Sequence, residues 1–485
     1  MLMYFSALSH LLTALILTCL WWKILGTSKV LVLIEILILL ASGVIVQAFC
    51  HWFLMTGFGL SLGILALFIT INNPHANTDN LTGLYDKTYL LRKFSEMLSN
   101  RRIFHVITVT LYQLNHINKV TSVNGGDRLI LSAARQLHRL CGDNVFRISG
   151  KRFLIFTFSQ EQFELYLDEL KNLFHPDTAL SETVVYSPVI ISGISHAERF
   201  EDGGSILDYA QYLESLAPNT GLNETVRDTD KTMERFLYLK KVEQFLHTAI
   251  TNDLFEVYYQ PVYSLKEKRY ITLEALSRLY HPELGWIPPD IFIQIAEKNH
   301  LVDRITNLQF RRICRFIQEH PLLTDRLCNI KMNLSPLDLI QTNSSSRLIR
   351  LMDEYGIKHS FIQFEITETV ATEYNSALNK AVDDFANSGI GLCLDDFGSG
   401  YANLNTVMQL PFSAIKLDRS LLNKICEDPR SANFYHSIVS SFQNMGFHVI
   451  SEGVETAAEV KLLSDYGVDM IPVSYTHLRA HETRH

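Results

Sequence analysis

The sequence predicts membrane helices followed by two α/β domains, the second a (β/α) barrel truncated at its last element. Three observations carry this expectation. The first 72 residues are long apolar runs, and ordinary globular composition begins at Asp79. From about residue 255, short apolar runs recur, each ending in a polar group, with amphipathic helical stretches between them. At 485 residues the chain is too long for one ordinary domain. A net charge of −8 without a basic block argues against a nucleic-acid polymer as partner. The seven cysteines are scattered, odd in number and lack CxxC spacing, so free thiols in a reducing compartment are expected rather than disulfides or structural zinc.

Met1 to Trp22 carry no charge, Val30 to Cys50 carry only Glu35, and His51 to about Ile71 carry none. Each run is long enough to span a membrane, which gives three transmembrane helices over residues 1–72. A signal peptide is excluded by the missing basic n-region and the two apolar runs that follow. Lys23 and Lys29 put the first loop inside, hence the N-terminus outside and everything after Asn72 in the cytoplasm. Gly57, Gly59 and Gly63 lie in an apolar span and read as a helix-packing face, not a nucleotide fingerprint.

Asp79-Asn80-Leu81-Thr82-Gly83-Leu84 opens a region of alternating helical and strand stretches, taken as residues 79–225. With its D-x-L-T-G-L entry and the Gly126-Asp127 pair, it resembles a GGDEF (diguanylate cyclase) domain. The resemblance also implies that the chemistry is lost. The signature hairpin aligns with Ser149-Gly150-Lys151-Arg152-Phe153, so Lys and Arg replace its two carboxylates, and the metal-binding aspartate aligns with Thr110. Cations in place of acids abolish a two-metal site. The inhibitory R-x-x-D motif is absent too, since Leu140 stands three positions before Asp143 where Arg is needed. A regulatory or structural role is expected. Residues 226–251 follow as a charged amphipathic linker helix, with Phe236, Leu239, Val242, Phe245 and Leu246 at helical spacing.

In the last region the apolar runs end at Gln260, Glu274, Asn333, Glu365 with Glu368, Asp395 with Asp396, Lys416 with Asp418, and Glu452 with Glu455. A cap or a solvated acid is the bland explanation of any one of these. Seven strand ends bearing mostly oxygen donors point instead to the C-terminal face of a barrel. Such donors suit Mg²⁺ or Mn²⁺, and adjacent aspartates can hold a second ion. Two ions clamp a phosphodiester and activate water, a nearby lysine stabilises charge, and a further glutamate takes a proton. Metal-assisted phosphodiester hydrolysis is the reaction class these residues suggest. Asp396-Phe397-Gly398 also matches the protein-kinase metal motif, but the lysine of Ala414-Ile415-Lys416 follows it rather than precedes it, and no H-R-D loop exists.

Tyr259-Gln260-Pro261-Val262, Glu274-Ala275-Leu276 with Arg278, and His281-Pro282-Glu283-Leu284-Gly285 occur in order with Ala296-Glu297 and Asn333-Leu334-Ser335-Pro336. Glu365-Ile366-Thr367-Glu368, Asp395-Asp396-Phe397-Gly398, Lys416-Leu417-Asp418 and Glu452-Gly453-Val454-Glu455-Thr456 follow. On these motifs residues 235–471 resemble the EAL-type cyclic di-GMP phosphodiesterases. The resemblance implies that Glu274, Asn333, Glu365 and Asp395 hold one metal and that Asp396 joins a second. It gives Lys416 the hydrolytic water and places Glu452 at the metals or as base. Gln260, Arg278 and Asp418 would contact the dinucleotide, and Glu368 and Glu455 would brace the loop after the double aspartate. It further implies linear pGpG as product and allows a homodimer through this domain, while the three apolar runs make the chain a multi-pass protein of the bacterial inner membrane with cytoplasmic catalytic domains. A non-catalytic cyclic di-GMP receptor or interaction scaffold is the alternative.

Beyond Gly467-Val468-Asp469-Met470-Ile471 the family continues Q-G-Y, whereas Pro472 opens PVSYTHLRAHETRH. This stretch resembles a translated transposase-type sequencing adapter, and residues 472–485 are taken as an artefactual tail. His477, His481 and His485 could otherwise be read as a zinc site. An open barrel with unpaired edges is the resulting expectation.

Overall fold

The computed structural model describes residues 77–112, 123–174, 189–217, 224–341, 343–367, 376–399, 410–423 and 425–473, with isolated positions before residue 77. The chain divides after Phe236 into two compact units.

The first unit is a six-stranded sheet of β1 (Tyr85–Asp86), β2 (His105–Leu111), β3 (Val145–Ser149), β4 (Arg152–Thr157), β5 (Val189–Ile194) and β6 (Glu224–Arg227). Their order is β1-β3-β4-β2-β5-β6, with β2 antiparallel to both of its neighbours. β2 is buried along its whole length because it sits inside the sheet with both faces covered, which is why its run HVITVTL does not alternate cleanly. Helices α1 (Lys87–Ser99), α2 (Val123–Cys141), α3 (Gln160–Leu173) and α4 (Gly203–Ser215) pack on the sheet. Leu90 and Phe94 of α1 join Ile206 and Tyr209 of α4 in one core, and Leu137 of α2 joins Leu167 of α3 in another. Asp86 and Asp202 cap α1 and α4 by accepting from the Tyr89 and Ser205 amides.

The next helix, α5 (Asp230–Thr251), starts later than the expected linker helix. Val226 is taken by the sheet, opposite Ser192 of β5, and the Thr229 hydroxyl accepts from the Thr232 amide at the helix start.

In the second unit β7 (Phe255–Ser264), β8 (Arg269–His281) and β9 (Gly285–Ile287) form an antiparallel ribbon. After α6 (Pro289–Lys298) and α7 (Val302–Glu319) come β10 (Asn329–Asn333), α8 (Ser344–Tyr355), β11 (Ile362–Thr367), α9 (Ser376–Asn387) and β12 (Gly391–Phe397). β13 (Ala414–Leu417), α10 (Pro429–Asn444), β14 (His448–Ser451), α11 (Ala457–Asp465) and β15 (Met470–Pro472) complete it. The β8-β10 pairing closes β7, β8 and β10 to β15 into an eight-stranded ring. All neighbours are parallel except β7, which runs against both β8 and β15. Outside the ring, Ile362, Phe364, Leu392 and Ile415 meet helix residues such as Phe310, Met352, Phe385 and Val439. Inside it, below the mouth, Cys393, Ala414 and Ile450 form a small plug.

Two expectations are corrected here. The barrel is closed, not open at its last element. Met470, Ile471 and Pro472 pair with Ser264, Tyr263 and Val262 of β7, and the Val473 amide donates to the Pro261 carbonyl. Pro472 and Val473 therefore belong to the barrel, and a proline is tolerated because it ends the strand. Residues 474–485, with His477, His481 and His485, lie outside the described residues. The multi-pass inner-membrane location is overturned as well: among the described residues no helix is long and apolar enough to cross a membrane. The longest of them, α5, carries Asp230, Lys231, Glu234, Arg235, Lys240, Lys241 and Glu243, a charge density incompatible with hydrocarbon. The three expected spans over residues 1–72 lie, apart from isolated positions, outside the described residues.

Candidate active site

Strand alternation builds the site. On parallel strands of a closed ring, every second residue points inward, and the last inward residue of each strand reaches the mouth. Glu274 on β8, Glu365 on β11, Asp395 on β12, Lys416 on β13 and Glu452 just after β14 all take inward positions that converge at that mouth. Glu365 is fully buried, Lys416 is 2% exposed, and Glu274 and Asp395 are each 7% exposed.

Lys416 is the hub. Its ammonium lies 2.7 Å from Glu452 Oε1, 3.1 Å from Asp395 Oδ1, 3.3 Å from Glu365 Oε2 and 3.4 Å from Glu274 Oε1. Burial works to lower the pKa of Lys416, but the four carboxylates override it and hold the ammonium well above its usual range. One ammonium does not satisfy them all. Burial, reinforced by the charge of Glu365, pushes Glu274 up to about 7. Burial also pushes Asp395 up to about 8, despite Lys416 beside it. Glu365 goes the other way: burial alone would raise it, but Lys416 and Lys331 outweigh burial and hold it below the usual carboxylate range.

Adjacent strand residues normally diverge, yet Asp395 and Asp396 converge. Asp396 has φ +57°, in the left-handed region that aspartate tolerates better than most residues, and the β12-β13 register shifts between Leu394 and Phe397. The bulge turns Asp396 towards the same space. One oxygen from each of Asp395, Asp396 and Glu452 lies within 4.8 Å of the others. Gly398 follows with φ +97°, and a Cβ there would run into Leu421.

These residues fit a hard divalent cation. The donors are all oxygens, and they are gathered and largely buried at one mouth. Asn333, exposed at the end of β10, extends the donor set and donates to Glu274 Oε1 at 3.5 Å. The turn behind it is fixed where the Ser335 hydroxyl donates to Glu297 Oε1 at 2.6 Å.

The remaining expected residues lie around this cage. Gln260 faces Glu274 across the β7-β8 pair, and its amide donates to the Val473 carbonyl at 3.2 Å. Arg278 lies two steps along β8 on the same face as Glu274, with its guanidinium 5.6 Å from the Tyr258 ring centre. Asp418 caps the turn Arg419–Leu422 by accepting from the Ser420 amide at 2.9 Å. Glu455 pairs with Arg419 at 2.6 Å. Glu368, and the residues 400–409 that it was expected to brace, lie outside the described residues.

Sequence reading passed over Lys331. It is 1% exposed on β10, and its ammonium is 3.5 Å from Glu365 Oε1. Period-2 alternation from Asn333 was the signal that could have found it. The aromatic edge beside Arg278 was also missed. There Tyr258 and Tyr280 meet Trp286 edge-on, with ring centres 5.9 and 5.3 Å apart, and all three are about half exposed.

The first unit gathers no comparable acids among its described residues. Thr110 is buried and paired with Arg152 across β2-β4, and Arg152 is tied to Glu214 at 2.7 Å. Arg147 holds Asp79 of the entry motif at 2.6 Å.

Residues 243–472 match the family described as EAL domain, and residues 76–173 the family described as diguanylate cyclase, GGDEF domain. Along the chain the GGDEF match precedes the EAL match. It is similar to the cyclic di-GMP phosphodiesterase NbdA of Pseudomonas aeruginosa, 24% identical over 432 residues, which cover 84% of this chain and 54% of that protein. Against the cyclic di-GMP phosphodiesterase RocR of the same organism it is 32% identical over 219 residues, covering 45% of this chain and 56% of that protein. The chain spans about half the length of the curated relatives it matches. Among solved structures, the S helix-GGDEF-EAL portion of Vibrio cholerae LapD bound to c-di-GMP covers 84% of this chain and 98% of that one. Its TM-score is 0.54 at 17% identity, a likeness of fold.

Proposed function

We propose, with the EAL domain over residues 243–472 as premise, that the protein is a divalent-metal-dependent phosphodiesterase that hydrolyses cyclic di-GMP to linear pGpG. The observation that carries the reading is the convergence of Glu274, Glu365, Asp395 and Glu452 on Lys416 at one barrel mouth.

In this reading Glu274, Asn333, Glu365 and Asp395 hold one Mg²⁺ or Mn²⁺, and Asp396 joins a second. Bound there, such ions supply Lewis-acid polarisation of a phosphodiester and a water of lowered pKa. The chain's own groups do the rest. Lys416 orients the attacking water from within the carboxylate cage and holds its charge. Glu452, half-buried at the edge of the cage, takes the proton from that water. Gln260 and Arg278 bind the dinucleotide, Arg278 through a phosphate oxygen, with Asp418 beside them. The cyclase-like domain, proposed over residues 79–225, regulates rather than synthesises, because Lys151 and Arg152 occupy its acid positions.

The test is conversion of cyclic di-GMP to pGpG by the full chain with Mg²⁺ or Mn²⁺, followed by chromatography. Turnover that stops with chelator and falls at least a hundredfold in Glu274→Ala is expected. Saturable binding of cyclic di-GMP without turnover would assign the protein instead to receptors of that dinucleotide.

A further inference from the structure

Lys331 places a second ammonium inside the barrel, on the far side of a carboxylate that the proposed reading gives to the metal. The two oxygens of Glu365 are divided between two cations: Oε2 lies 3.3 Å from Lys416 and Oε1 3.5 Å from Lys331. Lys331 is fixed in depth by its strand, in register with Glu274 on β8 and Gln363 on β11. Cys393 Sγ lies 3.9 Å from the same ammonium, and Glu274 on the neighbouring strand also feels its charge. A lysine buried this deeply is costly unless its charge is matched, and Glu365 is the carboxylate that matches it. The position needs no lysine for packing, since the plug below the mouth is made of Cys393, Ala414 and Ile450.

We propose that Lys331 is a positioning residue that pairs with Glu365 from its Oε1 side, so that a divalent ion meets this carboxylate from the side it shares with Lys416, and that by its fixed positive charge it weakens the site's hold on such ions. The inference rests on the metal reading above. An immobile cation behind a ligand repels a dication in front of it, and in a poorly solvated interior that repulsion is little screened. The site is thereby set to respond to the level of free divalent ion rather than to stay saturated.

The experiment is a titration of the full chain with Mn²⁺, free Mn²⁺ being read by its paramagnetic resonance signal, with no dinucleotide present. Lys331→Met is expected to bind Mn²⁺ about tenfold more tightly than the wild type. Lys331→Gln, a polar but uncharged side chain at the same place, should show the same gain if Met fails to fold. Lys331→Arg should stay within about twofold of the wild type. Thermal melting in chelator checks that each variant is folded. Unchanged or weaker Mn²⁺ binding in both uncharged variants overturns the proposal while leaving the metal reading intact. A wild type that binds no Mn²⁺ at millimolar concentration overturns both.

Discussion

Asp396 and Lys416 show what individual residues contribute. The double aspartate was legible in the sequence as a candidate site, but not the means by which two neighbours on one strand face one space. A left-handed φ is a local backbone choice that no hydrophobic pattern encodes. Lys331 was missed for a related reason: a lysine in IKMN reads as a solvated face, and only closure of the ring makes that face the interior. Lys416, by contrast, was identified but not as the hub it is. Removing its charge leaves four gathered carboxylates without their shared counter-ion. Lys416→Met should therefore lose about 3–5 kcal/mol in chelator, measured by urea unfolding. Added Mn²⁺ should restore part of that loss. A cost below about 1 kcal/mol would mean that the carboxylates have simply taken up protons.

At the scale of elements, strands and helices of the barrel followed the sequence pattern closely, because apolar runs and glycine-closed helices are local signals. The antiparallel course of β7 did not, since strand direction depends on partners far away in sequence. In the first unit, Arg147 of β3 ties the sheet to the entry motif through Asp79. Burial alone would raise the Asp79 carboxyl, but hydrogen bonds from Arg147 and Thr82 outweigh it and hold it below its usual value. A depressed carboxylate adds stability above its unfolded pKa of about 4, and that stability is lost as pH falls through the folded value. Arg147→Met should cost about 1–2 kcal/mol at pH 7. Its unfolding curve should then approach the wild type's as the pH is lowered below about 4. A difference independent of pH would assign the loss to packing alone.

For the whole molecule, the order of the two domains was readable from motifs alone. The closed state of the barrel was not. Pro472 departs from the expected motif at the position where the last strand ends, and a motif can break there while the strand itself persists. The proposed regulatory role of the first domain is open to a direct test. Deleting residues 79–225 should change the rate of cyclic di-GMP hydrolysis or its response to guanine nucleotides, followed by chromatography of the products. Unchanged rate and response would reduce that domain to a spacer.

The β7-β15 seam also sets an order of events in time. Ser264 and Met470 are paired, yet about two hundred residues of chain lie between them. Contacts of such separation form late, because the entropy of the intervening loop is lost before any contact repays it. Every other neighbour of the ring can assemble from the middle outward, and the three-residue strand is the keystone set last. Gln260 stands on β7 and is bonded to the residue just past that keystone. The last step of folding is therefore also the step that finishes the wall of the candidate site.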